Sequence, residues 1–194
     1  MSIDLSFQNK RSPVSGCILI SDPFLDEDFF RRSVVLLCNH DSEEGSFGLV
    51  LNNYIQIDLH DIDANFPNIK ARISVGGPVE TEHLFYIHTL GDQINGSTLI
   101  SGDLYFGGDF EQLRDILNND ENAKNKVRFF LGYSGWSKGQ LKDELKENSW
   151  IVATNIASCD ILNTNNDEFW KFCLEKQGSR FKTISKFPLN PNDN

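Results

Sequence analysis

The segment Gly132-Tyr133-Ser134-Gly135-Trp136 flanks a serine with glycine and tyrosine on one side and glycine on the other, a composition close to that of a nucleophile elbow. An elbow needs G-x-S-x-G, because its strained turn tolerates only a small residue two places after the serine. Here Trp136 holds that place, so the match fails and Ser134 is not supported as an acyl-transfer nucleophile. The segment lies between an apolar run and a helix-start signal, and it reads as a glycine turn anchoring a large aromatic. A ligand pocket is the second reading, since a glycine turn at a helix N-terminus presents free amides to an anion.

Gly76-Gly77-Pro78 permits close backbone approach or an unusual turn. It lacks the spacing of a phosphate loop, because neither G-x-x-x-x-G-K-[ST] nor G-x-G-x-x-G occurs, and it reads as a strand-to-turn junction. Four histidines are present, His40, His60, His83 and His88, with no H-x-H or H-E-x-x-H pairing. A metal site would have to be assembled from distant segments, so no metal and no cofactor are expected. His40 and His88 each close a strand-like run, where an imidazole can cap a loop or reach a cleft. Asp22, Asp26, Glu27 and Asp28 lack the glycine and terminal glutamate of a calcium loop. Asp26 or Asp28 is expected to cap a short turn before Phe29.

The elements that must position these residues are mostly strands. Runs at Gly16 to Ile20, Ser33 to Cys38, Phe47 to Leu51, Ile73 to Val75, Leu84 to His88, Ser97 to Ser101, Val127 to Leu131 and Trp150 to Ala153 read as strands. Ser33 to Cys38 is apolar at nearly every place, as a strand covered on both faces requires. With Phe47 to Leu51 it forms a predicted hairpin around the turn-like Asp41 to Gly45. Helices are predicted from Asp109 to Leu117, after Ser137 with Gln140 as a capping box, and after Asn165 with Glu168, the last ending at Gly178. In the second of these, Leu141 and Leu145 form the buried stripe, with Lys142, Asp143, Glu144 and Lys146 mostly outside. Clustered strands followed by late helices point to an α+β fold in a single domain over 1–187, with a polar, disordered tail over 188–194.

Composition narrows the partners. The formal charge of −10 repels phosphate backbones at long range, so direct nucleic-acid binding is disfavoured. The basic groups Lys10-Arg11, Arg31-Arg32, Lys124 to Arg128 and Arg180 to Lys186 are short and read as solvated faces, the last as an exposed tail or edge strand. The 15 phenylalanines and 3 tryptophans supply a core that needs no staples at a length of 194 residues. Cys17, Cys38, Cys159 and Cys173 show no C-x-x-C spacing; Cys17, Cys38 and Cys173 lie inside apolar stretches, and buried free thiols in a reducing compartment are expected. Met1 to Ser6 lacks a basic region followed by an apolar run, so no signal peptide is expected, and the apolar runs are far shorter than the ~20 residues that span a bilayer. The expected location is cytoplasmic, without membrane association.

Taken in order, these pieces resemble the bacterial YqgE/AlgH family. The resemblance is carried by Gly16-Cys17-Ile18-Leu19-Ile20, Pro23, Phe29 with Arg32-Ser33-Val34-Val35, His40, and Gly48-Leu49-Val50-Leu51-Asn52. It continues through Gly76-Gly77-Pro78-Val79, the strand ending in His88, Gly132 to Trp136, Gly139-Gln140-Leu141, Glu144 and Trp150. It spans Gly16 to Gly178. The resemblance implies an α+β fold with a mixed, branched or barrel-like sheet surrounded by helices, and a bacterial cytoplasmic origin. The family's name suggests transcriptional regulation and carries no catalytic residues over. This chain has Ser134 where the family often has alanine, and Tyr54 where a proline is common.

Two functions are weighed. The first is a non-catalytic regulatory or adaptor protein acting through protein contacts, with any regulation of transcription indirect. The second is a small-molecule binder or enzyme with a pocket near His40, His88 and the Gly132 to Trp136 turn. Its candidate ligand-binding residues are Arg32, His40, Asn52, Gly76, Gly77, His88, Gly132, Tyr133, Gly135 and Trp136, polar, aromatic or glycine positions mostly at the ends of apolar runs.

Overall fold

The computed structural model describes residue 9 and residues 11–163 and 168–186. The predicted cap at Asn165 and the tail over 188–194 lie outside the described residues.

Ten strands form an open, branched sheet: β1 (Ile18–Ser21), β2 (Val34–Asp41), β3 (Gly45–Val50), β4 (Tyr54–Ile55), β5 (Ile73–Val75), β6 (Val79–His88), β7 (Thr98–Ser101), β8 (Leu104–Phe106), β9 (Val127–Trp136) and β10 (Trp150–Ala153). The main path runs β10-β1-β2-β3-β9-β6-β8-β7, and β5 joins β9 as a side branch that carries β4. All pairings are antiparallel except β5 with β9, so the sheet is mixed, and of the two shapes expected it takes the branched one.

The branch has a simple cause. β9 is ten residues long and its two halves pair with different strands along one edge: Phe129 to Leu131 with β5, then Ser134 to Trp136 with β3. Its other edge pairs with β6. Gly76 sits in the fork, its amide donating to Leu131 O at 2.8 Å and its carbonyl accepting from Val50 N at 2.9 Å.

Both faces of the sheet are covered. Side chains alternate along a strand, so Val34, Leu36 and Cys38 of β2 enter one core cluster while Val35 and Leu37 enter another. The first cluster packs under α4 (Ser158–Asn163) and α5 (Glu168–Glu175), with Phe181 of α6 (Ser179–Ile184) against it. The second packs under α3 (Gln140–Lys146) through Leu141 and Leu145. A third lies between β5, β6 and β9 and the helices α1 (Leu59–Ile62) and α2 (Phe110–Asn119). Asp109 caps α2 by accepting from Glu111 N at 2.8 Å and Gln112 N at 3.2 Å, which fits the start expected there.

Several expectations are corrected. Gly132 to Trp136 is no turn between strand and helix; it is the second half of β9. Arg180 to Lys186 is neither tail nor edge strand, since Ser179–Ile184 is a helix that buries Ile184. Phe181 and Ile184 are three residues apart, the spacing of one helix face, whereas on a strand that spacing would put them on opposite faces. Arg128 is no solvated group, being 0% exposed. It donates to Ile161 O at 2.7 Å and to Ser74 Oγ at 2.8 Å, and also to Leu51 O, tying α4 to the fork of the sheet. Among the described residues the acidic group after Asp22 pairs with Arg31, through Asp26 at 2.6 Å and Asp28 at 3.7 Å, in place of capping a turn. Gln140 accepts from Ser137 N at 3.1 Å, half of the expected capping box, while Gly139 takes the N-cap position.

Candidate functional site

The structure distributes the ten candidate residues over four places. Arg32 and Asn52 meet at one. Asn52 Nδ2 donates to Arg32 O and Asn52 Oδ1 accepts from Val34 N, both at 2.8 Å, so the amide clamps the entrance of β2. The clamp holds Arg32 at φ 52° and its guanidinium lies 4.9 Å from the Trp170 ring centroid. Burial lowers the Arg32 pKa from its ordinary value. With Asn52 and Asn53 it lines a hollow of about 460 Å³.

Gly76, Gly77, Gly132 and Tyr133 meet at the second, the fork itself. A Cβ on Gly77 would lie 2.0 Å from the Tyr133 carbonyl carbon, and one on Gly76 would lie 2.4 Å from Gly132 O. Gly132 has φ 68° and faces Gly77 O and Val79 O, where β6 carries a bulge between Val79 and Leu84. These glycines allow two backbones to cross at van der Waals contact. Ser134, buried beside them, donates its hydroxyl to Gly76 O at 3.1 Å. Tyr133 packs edge-on to Phe47 and Phe85.

His88 stands at the third place, fully buried. Nδ1 accepts from Leu90 N at 3.2 Å, which leaves Nε2 to carry the proton and donate to Gly107 O at 3.1 Å. Ser97 Oγ lies 2.9 Å from the same nitrogen and the ring stacks on Tyr105. Burial lowers the His88 pKa, partly opposed by the Gly107 carbonyl, and the imidazole is neutral.

The fourth place gathers His40, Gly135 and Trp136 across β2, β3 and β9, where His40 pairs with Ser46 and Ser46 with Trp136. Trp136 is buried and its indole N–H donates to Glu144 Oε2 at 2.8 Å; Trp150 donates to the same oxygen at 2.7 Å. Glu144 therefore turns inward, against the outward place expected of it, because two indole donors under α3 need one acceptor. His40 Nδ1 lies 2.7 Å from Ser46 Oγ, and the ring is half-buried. Among the described residues no hydrogen bond reaches His40 Nε2.

Beside His40 opens a cleft of about 630 Å³. One wall is the β2–β3 hairpin, with His40, Asp41, Ser42 and Ser46; another is α3, with Leu141, Lys142, Leu145 and Lys146. Asn9, Arg11, Ser12 and Pro13 close it from the third side. Asn9 is fixed there by its side-chain amide, which donates to Trp150 O at 2.8 Å and accepts from Val152 N at 2.9 Å along the outer edge of β10. Of the expected site residues this cleft takes His40 alone. The remaining wall residues come from three segments far apart in the chain, each polar or apolar in an ordinary way, and carry no motif. Arg11 and Lys142 had only their charge to mark them.

The fold and site geometry can be set beside known proteins. The family model described as AlgH-like matches residues 18–182. The chain belongs to the AlgH-like family. A UPF0301 protein of Bacteroides thetaiotaomicron is 44% identical over 187 residues, covering 96% of this chain and 94% of the relative. One from Parabacteroides distasonis is 44% identical over 183 residues, covering 92% and 90%. The solution structure of the AlgH protein from Pseudomonas aeruginosa superposes with a TM-score of 0.72 at 22% identity, covering 93% of this chain and 98% of that one. A crystal structure of a protein from Corynebacterium diphtheriae gives 0.73 at 20% identity, covering 94% and 95%. These last two show that the AlgH-like chain shares its fold with them. No helix among the described residues is long and apolar enough to cross a membrane.

Proposed function

We propose that this AlgH-like chain is a non-catalytic binding protein of the cytoplasm, a regulatory adaptor whose recognition site is the cleft between α3 and the β2–β3 hairpin. The supporting observation is a contrast in how polar groups are used. Ser134 and His88, two of the residues of catalytic type, are buried and spend their bonds on the framework. Hydroxyl, amide, imidazole and cationic side chains instead converge on a cleft of about 630 Å³, within the usual ~300–1,000 Å³ of small-molecule sites. Strand residues and a helix pinned by two indole bonds hold its walls. The charge of −10 opposes operator binding, so any effect on transcription passes through a protein partner that senses the occupied cleft.

A thermal-shift screen of nucleotides, sugars, metal ions and common metabolites tests this. A ligand at about a hundred times its dissociation constant adds ~2.7 kcal/mol, a rise of about 5–10 °C for a chain of this size. The expected outcome is a shift that His40→Ala abolishes without lowering the unliganded melting temperature by more than ~2 °C. A shift untouched by His40→Ala would place recognition elsewhere.

A further inference from the structure

We infer that the cleft selects a small anion, a phosphate- or carboxylate-bearing molecule with an apolar portion; this rests on the cleft being the recognition site. The sign of the wall charges departs from that of the chain. In a protein of net charge −10 the cleft is lined by Arg11, Lys142 and Lys146 against a single carboxylate, Asp41. Asp41 is committed to the hairpin turn: Oδ1 accepts from Glu43 N at 2.7 Å and Glu44 N at 3.0 Å, and these bonds lower its pKa.

None of the three cations is neutralised by a buried carboxylate. Arg11 is bonded to the Thr154 hydroxyl, a neutral partner. Lys142 makes no hydrogen bond or ion pair to a described residue, and its charge only adds to the Lys146 bond in lowering the pKa of the exposed Asp143. Lys146 pairs with Asp143 at 2.6 Å, but both side chains are about two-thirds exposed, and a pair of that kind gives way readily to a competing anion. On the rim Lys138 takes up Glu43.

The geometry adds a body to the charge. Lys142 and Lys146 stand one turn apart on α3 beside the half-buried Leu145, while Leu141 is buried in the core beneath, so the wall offers two cations next to one partly exposed apolar side chain. Ser12, Ser42, Ser46 and Ser137 add hydroxyls, which accept or donate as a ligand requires. The volume exceeds what a lone inorganic anion fills, leaving the half-buried Pro13 and Leu145 as apolar surface for the rest of the molecule. The three cations are exposed, so their field reaches a ligand at the cleft through solvent and is strongest at low salt.

Calorimetric titration of the full chain at low salt tests this with AMP, pyrophosphate and citrate as anions, and adenosine and glucose as neutral probes. At least one anion is expected to bind with a dissociation constant below about 1 mM. AMP is expected to bind at least tenfold more tightly than adenosine. Raising salt to about 0.5 M is expected to weaken anion binding, since exposed charges are then screened. The double variant Lys142→Ala, Lys146→Ala, at two exposed positions, should weaken it about tenfold while the melting temperature holds. Anion binding unchanged in the double variant would place the ions elsewhere and overturn the inference. Neutral probes binding as tightly as the anions would overturn it while leaving the cleft as a recognition site. Silence from all five compounds would overturn both.

Discussion

His40 and His88 are the same residue type closing two strands, and their surroundings give them opposite roles. His40 stands half-buried on a cleft wall; His88 is sealed among Leu90, Ser97, Tyr105 and Gly107. With its folded pKa lowered by burial, His88 resists the proton that the unfolded chain accepts near the ordinary value of 6.5. The unfolded state then binds more protons, so the contribution is complete above that pH and shrinks as pH falls below it. We expect unfolding free energy to drop below pH 6.5 with a His88 component of up to about 1.4 kcal/mol per pH unit. Denaturant unfolding from pH 5 to 7.5, compared with His88→Gln, checks it: equal slopes would remove His88 as the cause. The sequence placed both histidines at strand ends correctly. It could not say which was buried, because that depends on β8 and the residue after it, whose Tyr105 and Gly107 lie 17 and 19 residues beyond His88.

At the scale of elements the fold turns on β9 and the glycines beneath it. The helix-start signal after Ser137 suggested that the preceding glycines formed a turn. The strand continues to Trp136 because Ser46, Phe47 and Gly48 of β3 offer a second partner along the same edge. Gly77 makes the crossing feasible, and Gly77→Ala tests it. Its Cβ would overlap backbone atoms of Tyr133 and Ser134, which cannot swing away as a side chain can. We expect a loss of about 3 kcal/mol or more, or failure to fold. Gly91→Ala, where the added Cβ meets nothing within 4 Å, should lose only the ~1–2 kcal/mol of a left-handed residue. Chemical denaturation of the two variants side by side decides it; a milder effect at Gly77 would mean that the fork is plastic. Eight strand runs were legible because apolar, β-branched stretches of three to six residues declare themselves. The two-residue β4, the three-residue β8 and the short helices α1 and α4 were not; β5, as short as β8, was legible because Gly76-Gly77-Pro78 marks its end.

Over the whole molecule the cysteines report on packing. Burial pushes the Cys17 thiol up to about 11 and Cys173 up to about 12, and raises Cys38 as well, while Cys159 is exposed on α4. A disulfide reagent at pH 8 should titrate the Cys159 thiol in the native protein, and all four thiols after denaturation. Cys159→Ser should abolish the native reaction; rapid reaction of further thiols would contradict the packed core. The sequence by itself determined the fold class, the family, most strands, the burial of three cysteines and the failure of the Gly132 to Trp136 segment as an elbow. These follow from local pattern, residue type and spacing, which the chain carries wherever it folds. Only the tertiary structure decided that the glycine motifs serve a backbone crossing, that Glu144 holds two indoles, and that Arg11, His40 and Lys142 share a cleft. Those contacts join residues up to 131 positions apart, and no local signal encodes which distant side chains a branched sheet will bring together.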